Sequence, residues 1–76
     1  MGVLLGQLKK EKTATIVGFA GDINYKIKRR LLELGFVSGA IITLQNVSFL
    51  NEVFLIELNG YMLSLRKDIA NKILVE

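Results

Sequence analysis

The chain has 76 residues, with ten Lys and Arg against seven Asp and Glu and a formal net charge of +3. This length is typical of one domain, so residues 1–76 are predicted to fold as a single unit. With neither Cys nor His, the chain lacks disulfides and the usual ligands of zinc, copper and iron. No apolar run approaches the length of about 18 residues that a membrane span needs. We therefore expect a cytoplasmic domain with no direct membrane insertion and no bound cofactor.

The first half of the chain predicts a strand followed by a helix. Thr13 to Ala20 is rich in β-branched residues, and Gly18 within it indicates a bulge or a sharp bend. A helix is predicted over about 22–34, with Asp22 as its cap and Gly35 just beyond its end. Its apolar residues fall on one stripe at helical spacing: Ile23, Ile27, Leu31 and Leu34.

The second half predicts a strand and then a hairpin. Ala40 to Val47 follows the turn signal Ser38-Gly39 and should direct Ile42 and Leu44 inward. Residues 52–59 and 61–66 both alternate and meet at Asn59-Gly60, a dipeptide that favours a type I′ turn. A two-residue loop fixes the register, because it places these residues opposite each other: Leu58 and Tyr61, Ile56 and Leu63, Phe54 and Leu65.

The C-terminal part adds two short elements. A second helical turn is predicted at about 67–72, capped by Asp68, and Ile73 to Val75 is predicted to form a closing strand. Short strands with one helix, in about this length, are typical of a small barrel. The fold class is therefore mainly β, a small SH3-like partly open barrel with one inserted α-helix.

The residues that could support catalysis are few. Without Cys and His, the usual nucleophile–base pairs and the commonest proton shuttle are missing. The seven carboxylates each have an ordinary structural role available, and no pair of them has a helical i, i+4 spacing. We therefore predict that the chain is not an enzyme and has no dedicated metal site, although weak Fe(II) binding through carboxylates stays open.

Charge and hydrophobicity indicate two candidate contact regions. The basic residues Lys26, Lys28, Arg29 and Arg30 are either a solvated helix face or a surface for an acidic partner or phosphates. Residues 47–51, VSFLN, join two strands yet carry large apolar side chains, as expected of an interaction site. The structural alternative is that these side chains are wrapped inside the barrel or covered by residues 1–8.

Several motifs in order resemble the ferrous iron transport protein A (FeoA) family. They are residues 29–35, RRLLELG, then Ser38-Gly39, and later Asn59-Gly60-Tyr61 followed by residues 63–66, LSLR. The resemblance extends over essentially the whole chain. It implies an SH3-like fold and an accessory role with FeoB, a membrane transporter of ferrous iron with a cytoplasmic GTPase domain. The family's Pro-Leu-Gly-Asp-Pro loop is replaced here by residues 48–52, SFLNE, which predicts a less rigid and more apolar loop.

Together these observations predict a non-catalytic, protein-binding accessory of a FeoB-type transporter, acting on its cytoplasmic side. The residues proposed for partner contact are Arg29, Arg30, Leu32, Phe49 and Leu50. Homo-oligomerisation is possible because apolar surface is left over. Two alternatives remain open: a small basic barrel that binds nucleic acid, which we do not expect, and a stand-alone relative of the C-terminal domain of diphtheria-toxin-repressor-like metalloregulators.

Overall fold

The computed structural model of the chain describes residues 2–76. Six strands and two helices follow one another in this order, with a 3₁₀ turn at Leu5–Gln7 between the first two strands: β1 (Val3–Leu4), β2 (Thr13–Phe19), α1 (Tyr25–Leu34), β3 (Ile41–Val47), β4 (Val53–Leu58), β5 (Tyr61–Arg66), α2 (Lys67–Ala70) and β6 (Ile73–Val75). Neither helix in this range has the length and apolarity to span a bilayer.

The strands form one curved antiparallel sheet in the order β1-β6-β2-β3-β4-β5. Within residues 2–76, β1 and β5 pair on one side only, so the barrel is partly open as predicted. Two register shifts bend the sheet, one between Ile16 and Gly18 and the other between Leu44 and Asn46. The first confirms the bulge expected near Gly18, and both increase the local twist that lets a small sheet curl around its core.

The hairpin of β4 and β5 has the predicted register along its whole length. Phe54 pairs with Leu65, Ile56 with Leu63, and Leu58 with Tyr61. Asn59 and Gly60 have φ values of 52° and 85°, as a type I′ turn requires. The inward side chains of β4 are buried, because alternate residues of a strand point to the same face.

The core is built from inward side chains of β2 to β6 together with residues from the helices and the turns. Its largest fully buried members are Phe36, Leu5, Ile16, Ile42, Leu44, Ile56, Leu58, Ile73 and Val75. Two of these, Leu5 and Phe36, lie outside every predicted element. Leu5 opens the 3₁₀ turn after β1, and that segment packs against α2 and β6.

Helix α1 begins at Tyr25, three residues after the start of the predicted range of about 22–34, and its cap is Asn24 in place of Asp22. The Asn24 Oδ1 accepts hydrogen bonds from the backbone N–H groups of Lys26 and Ile27, at 2.8 and 3.2 Å. Asp22 pairs instead with Lys72, at 2.7 Å. Both residue types suit an N-cap, and the sequence pattern alone did not separate them.

The helix ends as predicted at Gly35, whose φ is 108°. The N–H of Phe36 bonds to the carbonyl of Leu31 and the N–H of Gly35 to that of Leu32, at 3.0 and 3.1 Å. This is the Schellman arrangement, which is frequently accompanied by apolar contact between the residues at its two ends. Here those residues are Phe36 and Leu31, and both belong to the buried core.

The second helical turn is shorter than predicted, ending at Ala70, and Asp68 is not its cap. The residue at the N-cap position is Arg66, which makes no side-chain capping bond. The Asp68 carboxylate accepts a hydrogen bond from the backbone N–H of Ile69 and forms an ion pair with Arg66 at 3.3 Å. Its position inside the first turn allows these contacts and prevents the capping geometry.

Candidate partner-binding surfaces

The apolar loop between β3 and β4 is a hydrogen-bonded turn. The N–H of Asn51 bonds to the carbonyl of Ser48 at 2.9 Å, and Asn51 has a φ of 58°. The Ser48 Oγ accepts from the N–H groups of Glu52 and Val53, at 3.1 and 3.0 Å, and the N–H of Ser48 bonds back to Val53. Four hydrogen bonds therefore close a loop that the sequence predicted to be less rigid than its family counterpart.

This turn holds its two central side chains away from the core. The exposed fraction is 97% for Phe49 and 67% for Leu50. They are neither wrapped into the barrel nor covered by the N-terminal segment, so the structural alternative is wrong for these two residues. Phe49 and Leu50 are adjacent and together form an exposed apolar patch, and such patches are candidate interaction sites. We call Ser48–Asn51 the loop tip.

The surroundings of the loop tip are polar and partly paired. The N–H of Lys67 bonds to the carbonyl of Glu52 at 2.8 Å, which ties the start of α2 to the end of the loop. A shallow open depression beside it is lined by both charge signs: Glu52, Val53, Arg66, Lys67, Asp68 and Asn71. The apolar tip thus stands beside a rim of charged groups, the arrangement expected at a protein interface.

The other predicted contact residues lie on α1. Leu32 is 41% exposed, Arg29 forms an exposed i, i+4 ion pair with Glu33 at 3.7 Å, and Arg30 makes no ion pair with any residue of 2–76. At 100° per residue, Leu32 and Arg30 project about 160° apart. Leu32 therefore lies beside Arg29, three residues away, and projects away from Arg30, although Arg29 and Arg30 both line a shallow depression that also includes Tyr25.

Much of the α1 surface is exposed apolar area. Leu31 is the one buried residue of the helix, whereas Ile27 and Leu34, which share its predicted stripe, are 37% and 36% exposed. The stripe is therefore only partly buried, and Leu31 in the last turn anchors α1 to the core. The anchor includes a hydrogen bond from the Tyr61 hydroxyl to the Leu34 carbonyl.

Tyr25 lies on this surface too, although it was not among the predicted contact residues. Its side chain is 74% exposed in the first turn of α1. It lies seven residues before Leu32, and therefore on the same side of the helix, two turns away. The spacing was visible in the sequence, but the exposure of this side depends on where α1 lies against the barrel. We call Tyr25, Arg29 and Leu32 the helix patch.

The loop tip and the helix patch lie at opposite ends of the β3–β4 ladder. Ile42 pairs with Leu58 at one end of the ladder. Helix α1 terminates at this end, because Gly35 lies beside the side chains of Leu58 and Asn59. Val47 pairs with Phe54 at the end that carries the loop tip. Five residue spacings of about 3.3 Å separate the two ends, or about 17 Å. The structure does not bring the five predicted contact residues together into one cluster.

Among residues 2–76, no group of three or more Asp and Glu side chains converges as a metal site would require. The pKa of Asp22 is held below its ordinary value of 3.8 by the hydrogen bond and the charge of Lys72. This exposed ion pair connects the segment before α1 to the segment before β6, so its role is structural.

Comparison with known proteins places the chain in a family. The model of the FeoA domain matches residues 3–76. The chain belongs to the FeoA family. A FeoA-like protein from Clostridium acetobutylicum has 29% identity and a TM-score of 0.88, over 99% of this chain and 85% of that chain. No curated protein matches the chain by sequence.

Two further structures define the fold. FeoA from Stenotrophomonas maltophilia, solved with zinc, has 27% identity and a TM-score of 0.82, over 100% of this chain and 89% of that chain. It is described as a prokaryotic SH3 domain protein, which confirms the predicted SH3-like fold. A manganese-dependent transcriptional repressor has a TM-score of 0.88 at 14% identity, over 97% of this chain and 36% of that chain, and shows the fold alone.

Proposed function

We propose that this FeoA-family chain is a non-catalytic accessory of ferrous iron uptake, which binds a FeoB-type membrane transporter on its cytoplasmic side through protein–protein contact. The observation that carries the proposal is the loop tip, where a hydrogen-bonded turn holds Phe49 in solvent with 97% of its side chain exposed. The Stenotrophomonas relative is described as a candidate activating factor of bacterial ferrous iron transport, which supports the same biological setting.

The energetics of the loop tip favour a docking role. Burying a Phe or Leu side chain is worth about 1.5–3 kcal/mol, and folding leaves most of this unused at Phe49 and Leu50. Because the hydrogen bonds of Ser48 already order the turn, little conformational entropy is lost when a partner covers it. An aromatic side chain in an ordered turn is the kind of residue that dominates binding energy at interfaces.

The helix patch is proposed as a second, weaker contact. It combines Tyr25 and Leu32 with the guanidinium of Arg29, whose exposed ion pair with Glu33 contributes little to stability. Arg29 and Arg30 are proposed to guide association with an acidic surface, an effect that salt weakens. Since the loop tip lies at one end of the β3–β4 ladder and α1 terminates at the other, a partner that contacts both must reach past the length of this ladder.

The experiment is a binding measurement with the purified cytoplasmic region of a FeoB-type transporter. Phe49→Ser/Leu50→Ser should lower the affinity at least about tenfold, because each truncated anchor costs more than about 1 kcal/mol. Tyr25→Ser/Leu32→Ser should lower it by a smaller factor. Arg29→Gln/Arg30→Gln should slow association mainly at low salt, as expected of rim charges.

A matched control uses exposed apolar side chains on another part of the barrel. Val3 in β1 and Val17 in β2 are 47% and 39% exposed, and Val3→Ser/Val17→Ser should leave the affinity unchanged. If the loop-tip variant folds normally and binds as well as the wild type, the loop assignment is wrong. If the loop-tip variant and the control weaken binding equally, the contact is non-specific.

A further inference from the structure

The last strand of the sheet, β5, has a free edge. It pairs with β4 on one side, and no other strand of residues 2–76 pairs with its second side. The side chains at its centre are open to solvent, since Met62 is 49% exposed and Ser64 is also exposed. Two neighbouring elements meet its ends: the Tyr61 hydroxyl donates a hydrogen bond to α1, and the chain enters α2 after Arg66.

The hydrogen-bond parity of the hairpin shows which backbone groups point outward. The N–H of Lys67 bonds to the carbonyl of Glu52, in line with the pairs Phe54–Leu65, Ile56–Leu63 and Leu58–Tyr61. In an antiparallel ladder the hydrogen-bonded and non-bonded pairs alternate. Met62 and Ser64 therefore direct their N–H and C=O groups away from β4, and neither residue makes another hydrogen bond within the described range.

This edge lacks the features that usually protect an edge strand. Proteins blunt such edges with short strands, bulges, Pro or inward charges. The opposite edge is protected in this way, because β1 has only two residues. In contrast, β5 has six consecutive pairs with no register shift, and no charged residue lies between Tyr61 and Leu65.

We propose that the free edge of β5 is a self-association site, at which β5 of a second copy adds as an antiparallel strand. A two-fold axis at Leu63 places Met62 of one copy opposite Ser64 of the other, and Ser64 of the first copy opposite Met62 of the second. Both are hydrogen-bonded pairs in that register, so the outward N–H and C=O groups of Met62 and Ser64 are all satisfied. The interface is isologous, which is the commonest arrangement of soluble dimers.

The charges around the edge suit this arrangement. The axis at Leu63 separates the Arg66 side chains of the two copies by six residue spacings, about 20 Å. Each Arg66 lies instead opposite the uncharged turn of the other copy, with that copy's Glu57 about 12 Å away on the next strand. Both Arg66 and Glu57 point to the outer face of the hairpin, where Val53 pairs with Arg66 and Met62 with Glu57.

This inference does not depend on the proposed function. The loop tip lies beyond the Arg66 end of the hairpin, since Val53 pairs with Arg66, and it stays exposed in the two-fold arrangement. A chain that dimerises could fail to bind a transporter, and a chain that binds a transporter could be a monomer. The two claims therefore fail separately.

The test is a sedimentation measurement on the purified chain. The weight-average mass should rise from 8.5 kDa towards twice that value as the concentration increases from about 10 µM to about 1 mM. Met62→Lys should keep the chain a monomer at about 1 mM, because a Lys side chain on an edge strand opposes the addition of another strand. Ser64→Pro should do the same, since it removes an N–H that β4 does not use.

The matched control is Val3→Lys on the opposite edge, where Val3 is 47% exposed against 49% for Met62. This variant should dimerise like the wild type. Amide exchange gives a second readout, because the exchange rates of Met62 and Ser64 should fall at least about threefold over the same concentration range. A wild-type chain that remains a monomer at about 1 mM overturns the proposal, and so does a dimer that Met62→Lys leaves intact.

Discussion

Strand β4 lies between two turns, Ser48–Asn51 and Asn59–Gly60, and each turn contains an Asn with positive φ, 58° at Asn51 and 52° at Asn59. The second turn has only the residues that its conformation demands, and it fixes the hairpin register. The first turn is also closed by hydrogen bonds, yet it carries Phe49 and Leu50 in solvent. The residues of Asn59–Gly60 are those that the turn conformation needs for folding. The side chains of Phe49 and Leu50, in contrast, are not packed in the core and do not stabilise the fold by burial.

The largest expected difference in the free energy of unfolding is between substitutions of two Phe residues five positions apart, one in β4 and one in the loop tip. Phe54 is 3% exposed and Phe49 is 97% exposed. Phe54→Ala should lower the free energy of unfolding by about 3–5 kcal/mol, because it leaves a cavity in the core. Phe49→Ala should change it by less than about 0.5 kcal/mol. Urea denaturation of both variants tests this contrast, and a large loss at Phe49 would show that the loop tip is structural.

The next effect concerns the turn that folding requires. Gly60 has a φ of 85° and open space around it, so Gly60→Ala should cost about 1–2 kcal/mol from the left-handed backbone alone. Gly21 also has open space but no positive φ. Gly21→Ala is therefore the matched control, and thermal unfolding should show little loss for it. Equal losses would mean that backbone conformation is not the cause.

A smaller effect is expected at the residue that closes the loop tip. Ser48→Ala removes the Oγ acceptor of the Glu52 and Val53 N–H groups and should cost about 1 kcal/mol. Ser38→Ala, at another exposed serine, should cost less than about 0.5 kcal/mol. Chemical denaturation measures both. No difference between them would contradict the view that hydrogen bonds order the loop tip.

The smallest effect is the surface ion pair of Asp22. Its pKa is lowered, mainly by the hydrogen bond from Lys72, so its stabilising contribution is present above pH 3.8 and is lost as the pH falls through the lowered value. Asp22→Asn should be slightly less stable than the wild type near pH 7, and the difference should vanish in acid. Denaturation midpoints at several pH values measure this. A difference that persists in strong acid would contradict it.

Much of the fold could be predicted from local chemistry. The Asn59-Gly60 dipeptide and the flanking alternation determined the register of β4 and β5 to the residue. The strand β1 was missed because two residues have no period, and Leu5 was missed with it. Phe36 carried a usable signal, since a large apolar residue directly after the helix-ending Gly35 is a feature of the Schellman motif.

The candidate site was predicted less well, for a physical reason. Composition identified Phe49 and Leu50 as unusual for a loop, and their exposure agrees with that prediction. The position of the loop tip and of α1 at opposite ends of the β3–β4 ladder, however, depends on how the barrel closes. The separation of Leu32 from Arg30 follows from helical spacing, but the exposure of each side of α1 depends on how the helix lies against the barrel. Neither the ladder ends nor the exposure is a local property, so neither could be obtained from sequence spacing.

The most direct test compares the two turns of β4 in one experiment. The isotope-labelled chain is titrated with the cytoplasmic region of a FeoB-type transporter, and the amide resonances of Ser48–Asn51 and Asn59–Gly60 are followed by NMR. The account predicts that the resonances of Ser48–Asn51 shift or broaden at substoichiometric partner, while those of Asn59 and Gly60 stay in place. Binding that perturbs Asn59 and Gly60 and leaves Ser48–Asn51 unchanged would contradict it.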